Sequence, residues 1–179
     1  MFEEITISSQ PIFSGRAFNV RVDTIINANG EKTTREIVEH ADCIAAVPVD
    51  ANGDIWLVKQ HRIAVGKFLL EIPAGGIEPG EDPVEAVKRE LQEEIGFLPG
   101  KITKLTGVYS SPGFCSEFLY IYLASELQPS RLTAEDTAAI ETVRINPAQI
   151  MELIHAGEIC DSKTIAGLLL YLKTLETAV

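Results

Sequence analysis

Cysteine is scarce, and no segment of the chain resembles a signal peptide or a membrane span. Only three of the 179 residues are cysteine. Cys43, Cys115 and Cys160 form neither a C-x-x-C pair nor a His/Cys cluster, so we expect free thiols in a reducing compartment. The first residues, MFEEITISSQ, lack the basic and apolar regions of a secretory signal. Apolar runs fall far short of the ~20 residues that a membrane helix needs. These absences predict a cytoplasmic protein without a membrane partner.

Positive charge is also in short supply. The chain has 15 Lys and Arg residues against 26 Asp and Glu residues, a formal net charge of −11 at pH 7. Such a field repels nucleic acids and anionic membranes, so neither is expected as a partner. An anionic substrate would need a local cation, either an Arg/Lys cluster or a bound metal ion. Apolar residues at 46% and charged residues at 23% are typical of a globular protein with a sizeable core.

Turn signals and alternating apolar residues predict strands interleaved with three helices. Strands are expected at 16–26, 33–39, 43–49, 54–60, 68–71, 102–109, 118–124 and 142–145. Helices are expected at 83–95, from 147 to before Gly157, and from 161 or 162 to about 175. The expected fold class is α/β or α+β, a mixed β-sheet sandwiched by helices. Residues 1–40 are expected to form a small antiparallel β unit, and 41–179 the catalytic domain.

The helix expected at 83–95 has the clearest boundaries in the sequence. Asp82 is the expected N-cap, Pro83 takes the first helical position, Glu85 completes a capping box, and Gly96 ends the helix. Apolar residues recur at helical spacing and predict a core-facing stripe, formed by Val84, Val87, Leu91 and Ile95.

Three carboxylates share one side of this helix. At 100° per residue, Glu90, Glu93 and Glu94 fall within an arc of about 100° beside the apolar stripe. Glu90 and Glu94 repel each other, and the C-terminal half of a helix also disfavours negative charge. A divalent cation such as Mg²⁺ or Mn²⁺ would reverse that repulsion, because carboxylates are hard oxygen ligands. A solvated acidic face is the commoner explanation for an isolated E-x-x-E-E pattern.

A longer motif favours the metal hypothesis. A glycine-rich loop, Glu71-Ile72-Pro73-Ala74-Gly75-Gly76-Ile77-Glu78-Pro79-Gly80-Glu81, precedes the helix. The string from Gly75 to Phe97 runs Gly75, five residues, Glu81, seven residues, Arg89-Glu90-Leu91, one residue, Glu93-Glu94, one residue, Gly96-Phe97. It resembles the Nudix hydrolase box at every defined position, and a chance match over such fixed spacing is remote.

The flanking sequence resembles the ADP-ribose pyrophosphatase branch of the Nudix hydrolases. Residues 71–75 are similar to its E-x-P-A-G lead-in, Lys59-Gln60-His61-Arg62 to its Q-x-R strand end, and Arg35-Glu36 to its R-E element. Pro112 stands where that branch tends to carry a proline. The resemblance implies hydrolysis of a nucleoside diphosphate linked to another moiety, with ADP-ribose giving AMP and ribose 5-phosphate. A GDP-sugar hydrolase is the enzymatic alternative.

The resemblance also implies roles for individual residues. The metal ligands would be Glu90, Glu94 and the backbone carbonyl of Ala74, with Mg²⁺ as the cofactor and Mn²⁺ as a substitute. Glu93 would join the metal–water shell, and Arg89, within helical reach of Glu85 and Glu93, would orient the carboxylates. The implied substrate contacts are Arg35, Glu36, Arg62 and Pro112.

The general base and the oligomeric state are further implications of the resemblance. The branch takes its base from an acidic loop, here 133–141, which leaves Asp136, Glu135 and Glu141 as candidates. Ala138 stands where a neighbouring acid is common, and the Ala138-Ala139 pair leaves open a non-catalytic nucleotide sensor. In this branch the N-terminal β unit often exchanges between subunits, so a homodimer is expected.

Overall fold

A computed structural model describes residues 2–134 and 139–177 of the chain. The chain divides into two compact units. The first comprises Met1–Asp42 and Tyr109–Phe118, and the second comprises Cys43–Val108 and Leu119–Val179. Within the described residues, none of the helices combines the length and the apolar character that crossing a bilayer would require.

The first unit contains a three-stranded antiparallel sheet in the order β1-β2-β3. Its strands are β1 (Ile5–Ser14), β2 (Phe18–Ile26) and β3 (Lys32–His40). The turn between β2 and β3 is closed by Asn27, whose side-chain oxygen accepts hydrogen bonds from the backbone N–H groups of Asn29 and Glu31. The segment Tyr109–Phe118 lies beside β3, where Val38 donates to the carbonyl of Phe114 and accepts from the N–H of Ser116.

The second unit contains two further sheets. One has the order β10-β5-β6 and the other the order β7-β4-β9-β8. Strand β4 pairs parallel with β9 and antiparallel with β7, so the second sheet is mixed. The strands are β4 (Cys43–Pro48), β5 (Ile55–Arg62), β6 (Lys67–Glu71), β7 (Ala74–Gly76), β8 (Phe97–Tyr109), β9 (Phe118–Pro129) and β10 (Glu141–Ile145).

Among the described residues, three α-helices accompany these sheets. They are α1 (Pro83–Glu94), α2 (Ile150–His155), which follows a 3-10 turn at Pro147–Gln149, and α3 (Ser162–Thr177). Strand β4 is buried on both faces. Ile44 and Ala46 pack in one cluster with the apolar stripe of α1, whereas Ala45 and Val47 pack in the other with Leu168 of α3. Such alternation places helices on both sides of the strand, and the expected fold class is confirmed.

The boundaries of α1 follow the sequence, with one correction at its start. Asp82 caps the helix by accepting a hydrogen bond from the N–H of Val84 at 2.8 Å. Glu85 does not complete a capping box, because its carboxylate accepts from Lys88 at 2.7 Å instead. At the other end Gly96 has a φ of 77°, a left-handed conformation that glycine adopts without strain.

Candidate active site

Helix α1 presents the three acids as its periodicity predicts. Val87 and Leu91 are fully buried against the core, and Glu94 at the end of the helix is only 7% exposed. The side chains of Glu90 and Glu93 are 12% and 17% exposed. All three glutamate side chains are therefore largely buried, so this side of α1 is not a solvated acidic face.

Strand β7 brings the backbone of Ala74 to the same place. Its register pairs Ala74 with Ala45, while the N–H of Ala46 donates to the carbonyl of Pro73 at 3.0 Å. Hydrogen-bonded and non-hydrogen-bonded pairs alternate along an antiparallel ladder, so both polar groups of Ala74 point away from β4. The Ala74 N–H donates to Oε2 of Glu94 at 3.1 Å. The Ala74 carbonyl is left outside the β4–β7 ladder.

The Glu90 carboxylate lies directly against the backbone of Gly75. A Cβ atom at position 75 would come within 2.0 Å of Oε1 of Glu90. A side chain at position 75 would force the end of the Glu90 side chain to move, so glycine allows this carboxylate to lie against the backbone. The structure thus brings together the three predicted metal ligands, Ala74, Glu90 and Glu94.

Arg89 connects the acids of α1 to the loop that precedes the helix. Its Nε and Nη2 atoms donate to the two oxygens of Glu81, each at 2.9 Å. Nη2 also donates to the Gly76 carbonyl at 2.9 Å, and Nη1 donates to Glu90 at 2.5 Å. Glu93 lies 3.6 Å from Nη1. Of the two expected partners Arg89 has only Glu93, because Glu85 pairs with Lys88.

The electrostatics of Glu94 and Glu90 are unfavourable without a cation. Burial, followed by the negative charge of Glu90, raises the pKa of Glu94 to about 8. Burial also raises the pKa of Glu90, although the hydrogen bond from Arg89 opposes it. A divalent ion among these oxygens would supply the missing positive charge. The donor set, two carboxylates and a backbone carbonyl, consists of hard oxygen ligands and fits such an ion.

Glu71, at the end of β6, forms a contrasting buried site. It is 1% exposed, and Arg62 donates to both of its oxygens, from Nε and Nη2, at 2.7 Å each. Burial alone would raise the pKa of Glu71, but the hydrogen bonds from Arg62 and the charge of Lys163 lower it overall. Arg62 was predicted to contact substrate. Its side chain is 41% exposed, and Nη1 lies outside the pair with Glu71.

The remaining predicted substrate contacts belong to the first unit. Arg35 of β3 pairs with Glu4, with Nη2–Oε1 at 2.5 Å and Nε–Oε2 at 3.2 Å. Glu36 is exposed on the same strand, and Pro112 is exposed in the segment Tyr109–Phe118. All three residues therefore lie in the first unit, whereas the acids of α1 lie in the second.

The candidate bases are mostly beyond structural description. Glu135 and Asp136 lie outside the described residues. Glu141 is exposed at the start of β10, opposite Lys59 of β5. Sequence reasoning missed Lys163 and Thr164, which contact Glu71 and the N–H of Ile72. No motif marks these two residues, and the only local signal was the expected start of a helix at 161 or 162.

Proteins of known name are similar in sequence to this chain over most of its length. An ADP-ribose pyrophosphatase of Bacillus subtilis (strain 168) is 36% identical over 164 residues, covering 90% of this chain and 89% of that protein. An ADP-ribose pyrophosphatase of Mycobacterium tuberculosis (strain ATCC 25618 / H37Rv) is 37% identical over 167 residues, covering 92% and 81%. The resemblance noted in the sequence is therefore confirmed.

The fold and the family agree with these relatives. A solved structure described as the crystal structure of ADP compounds hydrolase matches with a TM-score of 0.91, covering 99% of this chain and 97% of that chain. At 23% identity that match confirms the fold alone. The sequence model of the NUDIX domain family matches residues 39–167. This range includes the glycine-rich loop and the whole of α1. The chain belongs to the NUDIX domain family.

Proposed function

We propose that this Nudix enzyme hydrolyses the diphosphate of ADP-ribose or a related ADP-sugar to AMP and a sugar phosphate, using Mg²⁺. The observation that carries the proposal is the convergence of Ala74, Glu90 and Glu94 beside Gly75. The two ADP-ribose pyrophosphatases above 35% identity support the choice of substrate. A divalent ion held by these residues would compensate the chain's negative charge where an anionic substrate must approach.

The proposed ligands are the carboxylates of Glu90 and Glu94 and the carbonyl of Ala74. A divalent ion held there would neutralise charge on diphosphate oxygens and lower the pKa of a bound water. Arg89 orients Glu90 through its hydrogen bond and ties α1 to the Gly76 carbonyl. Glu93, whose side chain lies 3.6 Å from Arg89 and is 17% exposed, is the residue proposed to join the metal–water shell.

Asp136 and Glu135 are the proposed candidates for the general base, and Glu141 is the alternative. A base must take the proton of the attacking water as the new P–O bond forms. Changing each acid in turn to its amide tests the assignment. Loss of kcat in only one of the three variants identifies the base, and full activity in all three contradicts a base from this loop.

The proposed substrate contacts are Arg62, Arg35, Glu36 and Pro112. Arg62 keeps Nη1 outside its pair with Glu71, so a phosphate oxygen can bind there without breaking that pair. Arg35 is paired with Glu4, so a phosphate would have to displace a carboxylate from it.

We also place the protein in the cytoplasm as a homodimer whose contacts come from the β unit at residues 1–40. All three cysteines are free thiols in the structure, which supports a reducing compartment. Strand β1 is exposed along its whole length and carries several large apolar side chains, Ile5, Ile7, Ile12 and Phe13. Apolar surface of this kind supports a contact with a second copy of the chain. A monomer in analytical ultracentrifugation at micromolar concentration would contradict the dimer.

A substrate panel is the direct test of the activity. Purified protein is incubated with ADP-ribose, ADP-glucose, GDP-mannose, NADH and a dinucleoside polyphosphate, with Mg²⁺ or with EDTA. The proposal requires Mg²⁺-dependent release of AMP, with the highest kcat/KM for an ADP-sugar. Preference for GDP-mannose would favour the GDP-sugar alternative. Binding without turnover of any compound would favour a nucleotide sensor.

A further inference from the structure

A polar network at the start of α3 reaches the loop that holds the proposed metal ligands. Thr164 is fully buried, and its hydroxyl oxygen accepts a hydrogen bond from the N–H of Ile72 at 2.9 Å. The same hydroxyl donates to Oδ2 of Asp161 at 2.5 Å. A hydroxyl has only one proton to donate. Asp161 therefore fixes the direction of that proton and turns the oxygen of Thr164 towards Ile72.

Lys163 joins this network to Glu71. Its Nζ atom lies 2.5 Å from Oε2 of Glu71 and 3.1 Å from Oδ2 of Asp161. Arg62 provides the second positive charge on Glu71. Two cations and two carboxylates thus form a neutral group around the end of β6, which is the arrangement that burial of charge requires.

The segment 71–74 joins β6 to β7, and each of its residues beyond Glu71 also has a backbone contact. Pro73 has no N–H, so Ile72 supplies the one backbone donor between Glu71 and Ala74. The Pro73 carbonyl is bound by Ala46, and the Ala74 N–H is bound by Glu94. Contacts on three successive residues hold the segment in place, and the contact at Ile72 comes from α3.

From these contacts we infer that Asp161, Lys163 and Thr164 are positioning residues for the metal site. They fix segment 71–74 so that the Ala74 carbonyl and the Glu94 carboxylate stay aligned on the same ion. This inference rests on the proposed function, because it takes those groups as metal ligands. It adds three residues that lie outside the Nudix box and about ninety positions away from the loop they support. Substitutions of groups that orient metal ligands typically reduce metal affinity or activity by about 10- to 100-fold.

The test compares matched substitutions at the two ends of α3. Thr164→Val replaces the hydroxyl with a methyl group of similar size, and Thr174→Val is its control. Thr174 also donates a hydroxyl hydrogen bond, to the Tyr171 carbonyl at 2.7 Å. Lys163→Met and Lys173→Met form a second pair, since the Lys173 side chain lies on the exposed side of the helix, where it donates to Glu176 at 2.7 Å. Thr164→Ser, which keeps the hydroxyl, serves as the rescue variant.

The first readout is Mn²⁺ binding to the substrate-free protein by titration calorimetry. We expect Thr164→Val and Lys163→Met to weaken Mn²⁺ binding about tenfold, Thr164→Ser to restore it, and both controls to match wild type. The second readout is deuterium uptake by the peptide containing residues 71–76, which should rise in Thr164→Val and not in Thr174→Val. In kinetic assays kcat should fall at limiting metal, while KM for ADP-ribose at saturating metal stays unchanged.

Equal Mn²⁺ affinity and deuterium uptake in Thr164→Val and Thr174→Val would overturn the positioning role. If Thr164→Val does not fold, the comparison of Lys163→Met with Lys173→Met decides the question. Wild-type protein that binds Mn²⁺ yet hydrolyses no nucleotide sugar would contradict the proposed function alone, because the affinity comparison would still be decided. Wild-type protein that binds no Mn²⁺ would overturn both the proposed metal site and this inference.

Discussion

Two buried glutamates, Glu71 at the end of β6 and Glu94 at the end of α1, have pKa values shifted in opposite directions. Glu71 is 1% exposed and Glu94 is 7% exposed, so both lose most of their hydration. Arg62 and Lys163 compensate Glu71, and its pKa is lowered overall. Glu94 receives a backbone hydrogen bond and the repulsion of Glu90, and its pKa is raised to about 8.

The difference separates a structural charge from a binding charge. Glu71 is complete as it stands, because cations of the chain itself neutralise it. Glu94 and Glu90 are incomplete until a cation arrives, and the energy that opposes their charge becomes a driving force for binding that cation. Four substitutions or conditions test this contrast.

Glu94→Gln should have the largest effect, and it should act on activity. The substitution removes a charged metal ligand but keeps the size of the side chain. We expect kcat/KM for ADP-ribose to fall roughly a thousandfold, because metal stabilisation of transition-state charge is worth several kcal/mol. Steady-state kinetics with Mg²⁺ measures it.

Glu85→Gln is the control for that change. Glu85 lies on the same helix, but its side chain is 61% exposed and pairs with Lys88. Its activity should match wild type. Equal losses in the two variants would mean that general acidity of α1, and not a ligand position, explains the effect.

Glu71→Gln should act on stability first. The neutral side chain leaves Arg62 and Lys163 without their buried anion, and breaking a buried ion pair costs about 3–5 kcal/mol. We expect the free energy of unfolding to fall by about 3 kcal/mol, measured by denaturant titration at pH 7 in EDTA. Under the same conditions Glu94→Gln should be no less stable than wild type. Reversed results for the two variants would remove the distinction between the glutamates.

The sequence predicted the site better than it predicted the contacts around it. The Nudix spacing is local, so Ala74, Glu90 and Glu94 could be named from one loop and one helix. Lys163 and Thr164 lie 92 residues from their partners, and no periodicity carries information over that distance. The register that turns Ala74 away from β4 likewise depends on pairing with a distant strand.

Two strands escaped prediction for different physical reasons. Strand β1 is exposed on both faces, and the alternation that begins with Ile5-Thr6-Ile7-Ser8 is broken by Ser9, Gln10 and Pro11, so the pattern does not extend along the strand. Strand β7 consists of Ala74, Gly75 and Gly76, which have little preference for extended structure, and it exists because β4 pairs with it. Strand β8 was expected to begin at residue 102 but begins at Phe97. Pro99 and Gly100 are uncommon inside strands, so the sequence did not indicate its first residues.

Gly75→Ala should displace the Glu90 carboxylate without replacing any of the proposed metal ligands. The added Cβ would lie 2.0 Å from Oε1 of Glu90 and forces that carboxylate to move. We expect about a hundredfold lower kcat/KM, because a displacement of 1 Å can cost that much. Gly76→Ala is the matched control, since a Cβ there meets no atom within 4 Å. Similar activity in both variants would show that the contact between Glu90 and Gly75 does not define the site.

The free energy of unfolding of the metal-free protein should fall with rising pH, because the buried Glu94 carboxyl becomes ionised. A carboxyl whose folded pKa lies above its unfolded value stabilises the protein below the unfolded pKa, near 4.5, and loses that contribution as pH rises through about 8. In EDTA, the stability of wild type relative to Glu94→Gln should therefore fall by roughly 2 kcal/mol between pH 6 and pH 8. Saturating Mg²⁺ should abolish the fall, because the ion replaces the proton on the carboxylate. Parallel pH profiles for the two proteins in EDTA would mean that Glu94 is already compensated, as Glu71 is.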